Sequence, residues 1–306
     1  MQVLVWLSHE VPAFQPTREQ LVALAARTEH SLEVVDDESA FLGALPRAEA
    51  VVVWRLQADG YALAPRLRHA FTPSAGHDPL PPDPTGRVQR HFGSFQGHIM
   101  AESLLAMITF MNRRLGAALH AQAERRWDRS PFSSTRRLRG QVVLLLGYGA
   151  IGQHCGRLLS ALGMRVHALR RDVARPSPWA ERVFAPEQRL EALALADHVV
   201  CVLPGDTGTD HLLDATALSS MKSSACVYNL GRGNAIDTAA LKDALTSGRI
   251  AGAFLDVVPE EPLPESSPLW SAPNVYLTPH ASAISSEYLD LYFEELVQEL
   301  ARLPSG

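Results

Sequence analysis

The stretch "VVLLLGYGAIGQHCGRLLSALG", Val142 to Gly163, decides how the rest of this chain is read. The apolar run Val142–Leu146 suits a strand covered on both faces. It leads straight into Gly147, Gly149 and Gly152, a G-x-G-x-x-G pattern, and residues Ala150 to Leu162 then carry helical spacing. A glycine triplet alone is a weak signal. A strand directly before it and a helix directly after it make it a dinucleotide-binding fingerprint. Each glycine has its own physical role. Gly147 permits the tight turn, Gly149 lets backbone approach a pyrophosphate, and Gly152 lets the helix pack on the strand. The N–H groups and dipole of the helix N-terminus then face the phosphates, which puts Tyr148, Ala150 and Ile151 at the cofactor too. The bland alternative is a βα turn with incidental glycines. S-adenosylmethionine enzymes share glycine-rich turns, but the full spacing favours a dinucleotide.

The next strand, "MRVHAL", ends at Arg170 and Arg171. An acidic residue at this place would hold the ribose 2′-hydroxyl of NAD. Two guanidiniums instead attract a 2′-phosphate, through charge-assisted bonds each worth roughly 1.5–3 kcal/mol. The expected cofactor is therefore NADP, with NAD possible. Asp172 comes slightly late and is the weak argument for NAD, and the arginines could also be a solvated face, since only Lys222 and Lys242 among the basic residues are lysine.

Around this unit the chain alternates strands and helices, which implies parallel, doubly wound sheets. A first series precedes it: "VLVWL" (Val3–Leu7), a helix capped by Thr17, "AEAVVVW" (Ala48–Trp54) and "LRHAFTPSAG". The segment His77–Gly97 is rich in Pro, Asp, Arg and His and reads as loops and short strands. His98 to Trp127 has a helical period without proline and reads as one long helix. After Gly163 come strands in "DHVVCVLP", "ACVYNLG", "IAGAFLDVV" and "NVYLTP", a helix in "TAALKDALTSG", and a last amphipathic helix over Ser285–Leu303.

At 306 residues the chain is long enough for two domains with their own cores. Its net charge of −5 gives no global pull toward nucleic acid or an anionic membrane. No segment approaches the roughly 20 apolar residues that span a bilayer, and "MQVLVWLSHE" reads as a first strand rather than a signal peptide. A cytoplasmic location is expected. Cys155, Cys201 and Cys226 are odd in number, widely spaced and in apolar surroundings, so they read as buried inert thiols. His69, His77, His91 and His98 gather in one region but lack metal-ligand spacing, and no metal is expected.

Three polar features close predicted strands, at the edge where open α/β sheets bind ligands. "NLGRGNAID" sets Arg232 between glycines, where a planar guanidinium can grip a carboxylate. "LDVVPEEPLP" carries Asp256, Glu260 and Glu261, and "LTPHAS" carries His280. His280 could be a core or capping residue, Asp256 could cap a strand end, and Glu260 reads as a solvated neighbour. A histidine titrates near neutrality and suits proton transfer, and a neighbouring carboxylate favours its imidazolium form.

With "GYGAIG", "VCVLPGDTGTDHLL", "NLGRG", "GAFLDVVPEEPLPESSPLW" and "LTPHAS" in this order, the chain resembles the D-isomer-specific 2-hydroxyacid dehydrogenases over most of its length. "VVVW", the arginine pair, "ESSPLW" and Ala283–Ile284 make it similar to the NADPH-dependent glyoxylate/hydroxypyruvate reductases within that family. The resemblance implies two Rossmann-like doubly wound α/β domains with an active-site cleft between them. The substrate domain would be discontinuous, residues 1–97 plus 283–306, and the dinucleotide domain would be 98–282. It implies reduction of a small 2-keto acid to the D-2-hydroxy acid. Arg232 would bind the substrate and His280, paired with Glu261, would donate the proton. Asp256 would lie near the nicotinamide carboxamide, with further cofactor contacts at Leu203, Pro204, Leu230 and Gly231. Ala75 and Gly76 in "PSAGHD" would offer backbone N–H groups to the substrate carboxylate, Trp54 would wall the pocket, and His98–Trp127 would build a homodimer interface. His77, Gly231 (where Ser or Ala is more common) and a short proline-rich stretch after Asp78 depart from the family pattern. An NAD-dependent D-lactate or phosphoglycerate-type dehydrogenase, and a non-catalytic dinucleotide-sensing corepressor-like protein, are the alternatives. The Arg170/Arg171 pair argues against the first, and the Arg232, Glu261 and His280 set against the second.

Overall fold

The structure, a computed structural model, describes residues 1–304. The chain divides into two compact units, Met1–Gln96 with the segment from Ile284 onward, and Gly97–Ala283. Both are parallel α/β sheets, as the alternating pattern requires.

The first unit holds β1 (Gln2–Trp6), α1 (Arg18–Ala26), β2 (Ser31–Val34), α2 (Glu38–Ala44), β3 (Ala50–Val53), α3 (Gly60–Leu63), β4 (His69–Thr72) and β5 (Gln89–Phe92). Its strands pair in the order β2-β1-β3-β4-β5. Val3, Val5, Val51, Val52 and Val53 are fully buried, so the central strands are apolar on both faces. Thr17 caps α1 through a capping box with Gln20, satisfying donors at the helix start.

The second unit holds α4 (Gln96–Asn112), α5 (Leu115–Ala123), β6 (Val142–Leu146), α6 (Ala150–Ala161), β7 (Arg165–Leu169), β8 (Arg182–Phe184), α7 (Arg189–Leu195), β9 (His198–Cys201), α8 (Ala215–Ser220), β10 (Cys226–Asn229), α9 (Thr238–Thr246), β11 (Gly252–Leu255) and β12 (Val275–Leu277). The sheet order is β12-β11-β10-β9-β6-β7-β8. Leu144 and Leu146 face one core layer, Val143 and Leu145 the other. Each such buried side chain stabilises the unit by about 1.5–3 kcal/mol. α10 (Tyr288–Ala301) belongs to the first unit, where it contacts α1.

The single helix expected over His98–Trp127 is two. It breaks at Arg113–Arg114, with Arg114 in the left-handed region at φ 55°. Neither glycine nor proline marks the break. Tertiary bonds make it: the Asn112 carbonyl accepts the Arg136 N–H (3.3 Å), and the Asn112 side chain binds the Gln141 amide (2.6 Å). Gly116 then lets α5 press on the Tyr276 ring, which a side chain there would strike. The last helix also starts later than its periodicity suggests, because Ser285 first forms a turn to Tyr288. The short edge strands β2 and β8 carry no apolar run and no expectation from the pattern. No helix among the described residues is long and apolar enough to cross a membrane.

Candidate active site

All strands of the second unit are parallel, so the turns after β12, β11, β10, β9 and β6 share one edge of the sheet. That edge carries His280, Asp256 with Glu261, Arg232, Leu203 with Pro204, and the glycine turn.

The glycine turn has the geometry its spacing implies. Gly147 takes φ 94°, left-handed backbone that a side chain would strain, and its N–H donates to Leu169 O (3.0 Å). A Cβ on Gly152 would strike the Gly147 carbonyl, so only glycine lets α6 start this close to β6. A Cβ on Gly149 would meet nothing within 4 Å, which leaves that backbone open for a large anion to approach. Ala150 is exposed and Ile151 half-buried in the first turn of α6. Tyr148 differs from its neighbours. Its ring is buried in the core, and burial pushes its hydroxyl up to about 12. Only its backbone faces the turn.

Arg170 follows the last residue of β7 and is half-buried, with Nη1 3.3 Å from Ser177 Oγ; Arg171 is exposed. Asp172 turns its carboxylate to its own loop, accepting the Ala174 N–H (3.1 Å). Leu203 is half-buried and Pro204 exposed after β9, while Leu230 is buried. Gly231 lies where a Cβ would be 2.6 Å from Leu203 O, so the turns after β9 and β10 touch through it.

Arg232 is half-buried and its Nη1 donates to Gly231 O (2.9 Å). Gly233 lets this turn rest on Val258, which a side chain would overlap. Val258 N–H in turn donates to Glu261 Oε1 (3.1 Å), and Glu261 Oε2 lies 2.8 Å from His280 Nδ1. Three segments distant in sequence thus become a spatial chain from Arg232 to His280. The pair is accessible, with side-chain exposures of 50% for His280 and 37% for Glu261. Glu260 is exposed. His280 Nε2 has no hydrogen bond among the described residues, so one ring nitrogen is held and the other presented.

Asp256, expected beside a nicotinamide carboxamide, is 2% exposed and faces the His280 turn. Its Oδ1 accepts from Thr278 Oγ1 (2.7 Å) and Ala281 N–H (2.8 Å), its Oδ2 from Ser282 N–H (2.9 Å), and its carbonyl from His280 N–H (2.8 Å). His280 itself sits at φ 52°, a left-handed conformation that these bonds hold. Thr278, Ser282 and Asn229 carry no catalytic signature in the sequence. Only Asn229 had a usable signal, a short amide side chain just before a glycine turn.

Trp54, Ala75 and Gly76 lie in the first unit. Trp54 is half-buried and packs on His9, Phe14 and Tyr288 at ring-centroid distances of 5.3, 5.1 and 6.0 Å. Its carbonyl accepts from Thr72 Oγ1 (3.1 Å). Gly76 N–H is committed to Ser74 Oγ (3.2 Å), whereas Ala75 N–H has no protein partner among the described residues. Of the four histidines that gather in the sequence, His69 and His91 pair with each other. His69 Nδ1 lies 3.2 Å from His91 Nε2 and His77 stacks on Phe92, while His98, in the second unit, packs on His154. No group of three or more His, Cys, Asp or Glu among the described residues could hold a metal. The three cysteines are free and buried, and burial pushes Cys155 and Cys201 to about 12 and Cys226 to about 11, which keeps them as thiols.

The sequence profile of the D-isomer specific 2-hydroxyacid dehydrogenase family, NAD binding domain, matches residues 105–282. D-3-phosphoglycerate dehydrogenase of Mycobacterium tuberculosis is 32% identical over 83% of this chain and 49% of its own length, so the chain spans about half of that relative. Glyoxylate reductase of Thermofilum pendens is 30% identical over 91% of this chain and 79% of its own. The solved structure of NADPH-dependent glyoxylate/hydroxypyruvate reductase from Sinorhizobium meliloti, in complex with NADP and sulfate, superposes with a TM-score of 0.80 at 26% identity, covering 98% of this chain and 94% of that one. With its glycine turn, its acid–histidine pair and this profile match, the chain belongs to the D-isomer specific 2-hydroxyacid dehydrogenase family.

Proposed function

We propose that this protein reduces a small 2-keto acid, of the glyoxylate or hydroxypyruvate type, to the D-2-hydroxy acid with NADPH as the preferred cofactor. The observation that carries the reading is the 2.8 Å contact between Glu261 and His280, built on the same sheet edge as Arg232 and the glycine turn.

The residues present fit a dinucleotide. The open backbone at Gly149 and the start of α6 would take the pyrophosphate, and Leu203, Pro204, Leu230 and Gly231 would flank the rest. Arg170 and Arg171, at the end of β7, would meet a ribose 2′-phosphate, and Asp172 accepts the Ala174 N–H of its own loop (3.1 Å). A bound nicotinamide dinucleotide supplies the hydride for the carbonyl carbon. Arg232 grips the substrate carboxylate and stabilises negative charge developing on the carbonyl oxygen. His280, as imidazolium, gives its Nε2 proton to that oxygen, and Glu261 at Nδ1 stabilises the charged ring beforehand and orients it. A homodimer agrees with the exposure of Leu115 (40%), Leu119 (58%) and Trp127 (90%) along and after α5, and a cytoplasmic setting with the free thiols.

The test is oxidation of NADPH and NADH, side by side, with glyoxylate, hydroxypyruvate and pyruvate. Higher kcat/KM with NADPH supports the arginine reading and ranks the substrates. Activity with NADH alone overturns the cofactor preference. Tight cofactor binding without turnover of any keto acid overturns the reductase.

A further inference from the structure

A guanidinium can recognise a carboxylate only if its backbone is held still, and Arg232 lies on a turn rather than inside a strand. Backbone on such a turn is ordinarily the least fixed part of a sheet edge. Here it is clamped from below. Asn229 is the last residue of β10 and is 1% exposed. Its Oδ1 accepts the Gly231 N–H (3.1 Å) and its Nδ2 donates to the Arg232 carbonyl (3.0 Å). One amide therefore satisfies a donor on one side of the Gly231–Arg232 peptide and an acceptor on the other. The Asn229 backbone is fixed independently, since its carbonyl accepts the Asp256 N–H (2.9 Å). Above the turn, Gly231 lies against the Leu203 backbone, where a Cβ would be 2.6 Å from O and 2.7 Å from N. Gly205 closes on the Arg232 side chain, where a Cβ would be 3.0 Å from Cγ.

We infer that Asn229 is the positioning residue for Arg232, setting how tightly the 2-keto acid carboxylate is held without touching substrate or cofactor itself. An amide suits this role. Aspartate would keep the acceptor for Gly231 N–H but put a second acceptor against the Arg232 carbonyl, and leucine would leave the Gly231 N–H unpaired and the Arg232 carbonyl with the Ala235 N–H alone, at 3.3 Å.

The inference rests on Arg232 as the carboxylate ligand, so the experiment carries its own control. Steady-state constants for glyoxylate reduction and the Kd of NADPH are measured for the wild type and for Arg232→Ala, Asn229→Ala and Asn229→Asp. Arg232→Ala tests the reading beneath: an unchanged KM for glyoxylate removes Arg232 from substrate binding. With that effect present, Asn229→Ala should raise the KM for glyoxylate by roughly ten-fold or more. The Kd of NADPH should stay within about two-fold, and kcat should fall less than KM rises. Asn229→Asp, which keeps one of the two bonds, should fall between wild type and Asn229→Ala. A merely structural role would instead lower the active fraction at constant KM. An unchanged KM for glyoxylate in a folded, NADPH-binding Asn229 variant overturns the inference. If Asn229→Ala does not fold, Asn229→Asp decides by the same criterion.

Discussion

Replacing Glu261 by glutamine isolates the acid–histidine pair, because the change alters one atom type and no volume. Both carboxylate oxygens are acceptors in use, Oε1 from Val258 N–H at 3.1 Å and Oε2 toward His280 Nδ1 at 2.8 Å. An amide has one acceptor oxygen, so it can serve Val258 or His280 but not both. If it serves Val258, its NH2 group faces Nδ1 and opposes the imidazolium. A hydrogen bond with an ionised partner contributes roughly 1.5–3 kcal/mol. The exposures of 50% and 37% place this one in partial contact with water, which screens it toward the lower end, about 1–2 kcal/mol. That converts to a loss of roughly ten-fold in kcat. Rates are followed by loss of nicotinamide absorbance with glyoxylate, and NADPH affinity is measured separately to show that the cofactor site is untouched. A Glu261→Gln enzyme with wild-type kcat across the pH range would refute the assignment of His280 as proton donor paired to Glu261.

Three further outcomes follow from buried groups. His198 is fully buried between the Gln141 amide (3.1 Å) and Tyr228 Oη (3.0 Å), and burial lowers it from the ordinary 6.5 to about 4. Below pH 6.5 the unfolded chain takes up a proton that the folded chain refuses, so stability falls as pH drops, by about 2 kcal/mol at pH 5 and about 3 kcal/mol at pH 4. Urea unfolding at pH 7.5 and 5 should show this term in the wild type and its absence in His198→Gln; equal pH dependence in both sinks the idea. Gly152→Ala forces a methyl against the Gly147 carbonyl, an overpacking of roughly 1–3 kcal/mol that should weaken NADPH binding about five- to a hundred-fold by fluorescence titration, and unchanged affinity would mean the glycine turn is not the phosphate site. His167 is 2% exposed with both ring nitrogens unpartnered, so His167→Leu should leave the melting temperature equal or higher, whereas a loss above about 2 kcal/mol would reveal a partner for the imidazole.

The sequence alone determined the parallel α/β class, the glycine turn and the three strand-end segments that carry Arg232, Glu261 and His280. These are local signals: apolar runs of strand length, glycine at a position needing φ 94°, and polar residues placed directly after a strand. The tertiary structure decided the rest, because it depends on which distant groups meet. Arg114 ends a helix whose period continues past it, since Arg136 takes the Asn112 carbonyl. Tyr148 stands inside the fingerprint yet turns its ring into the core, because the inner face of α6 leaves room beside Gly156. Of four histidines close in sequence, His69 and His91 meet because they lie on the paired strands β4 and β5, while His77 stacks on Phe92 and His98 packs on His154. Asp256 reads as a site residue from its place after β11, but only the returning turn after β12 brings Thr278, Ala281 and Ser282 to its oxygens. Periodicity reports which face of an element is apolar. It carries no information about which backbone donor, many residues away, a buried oxygen will accept, and in this protein those acceptances hold the reactive side chains in place.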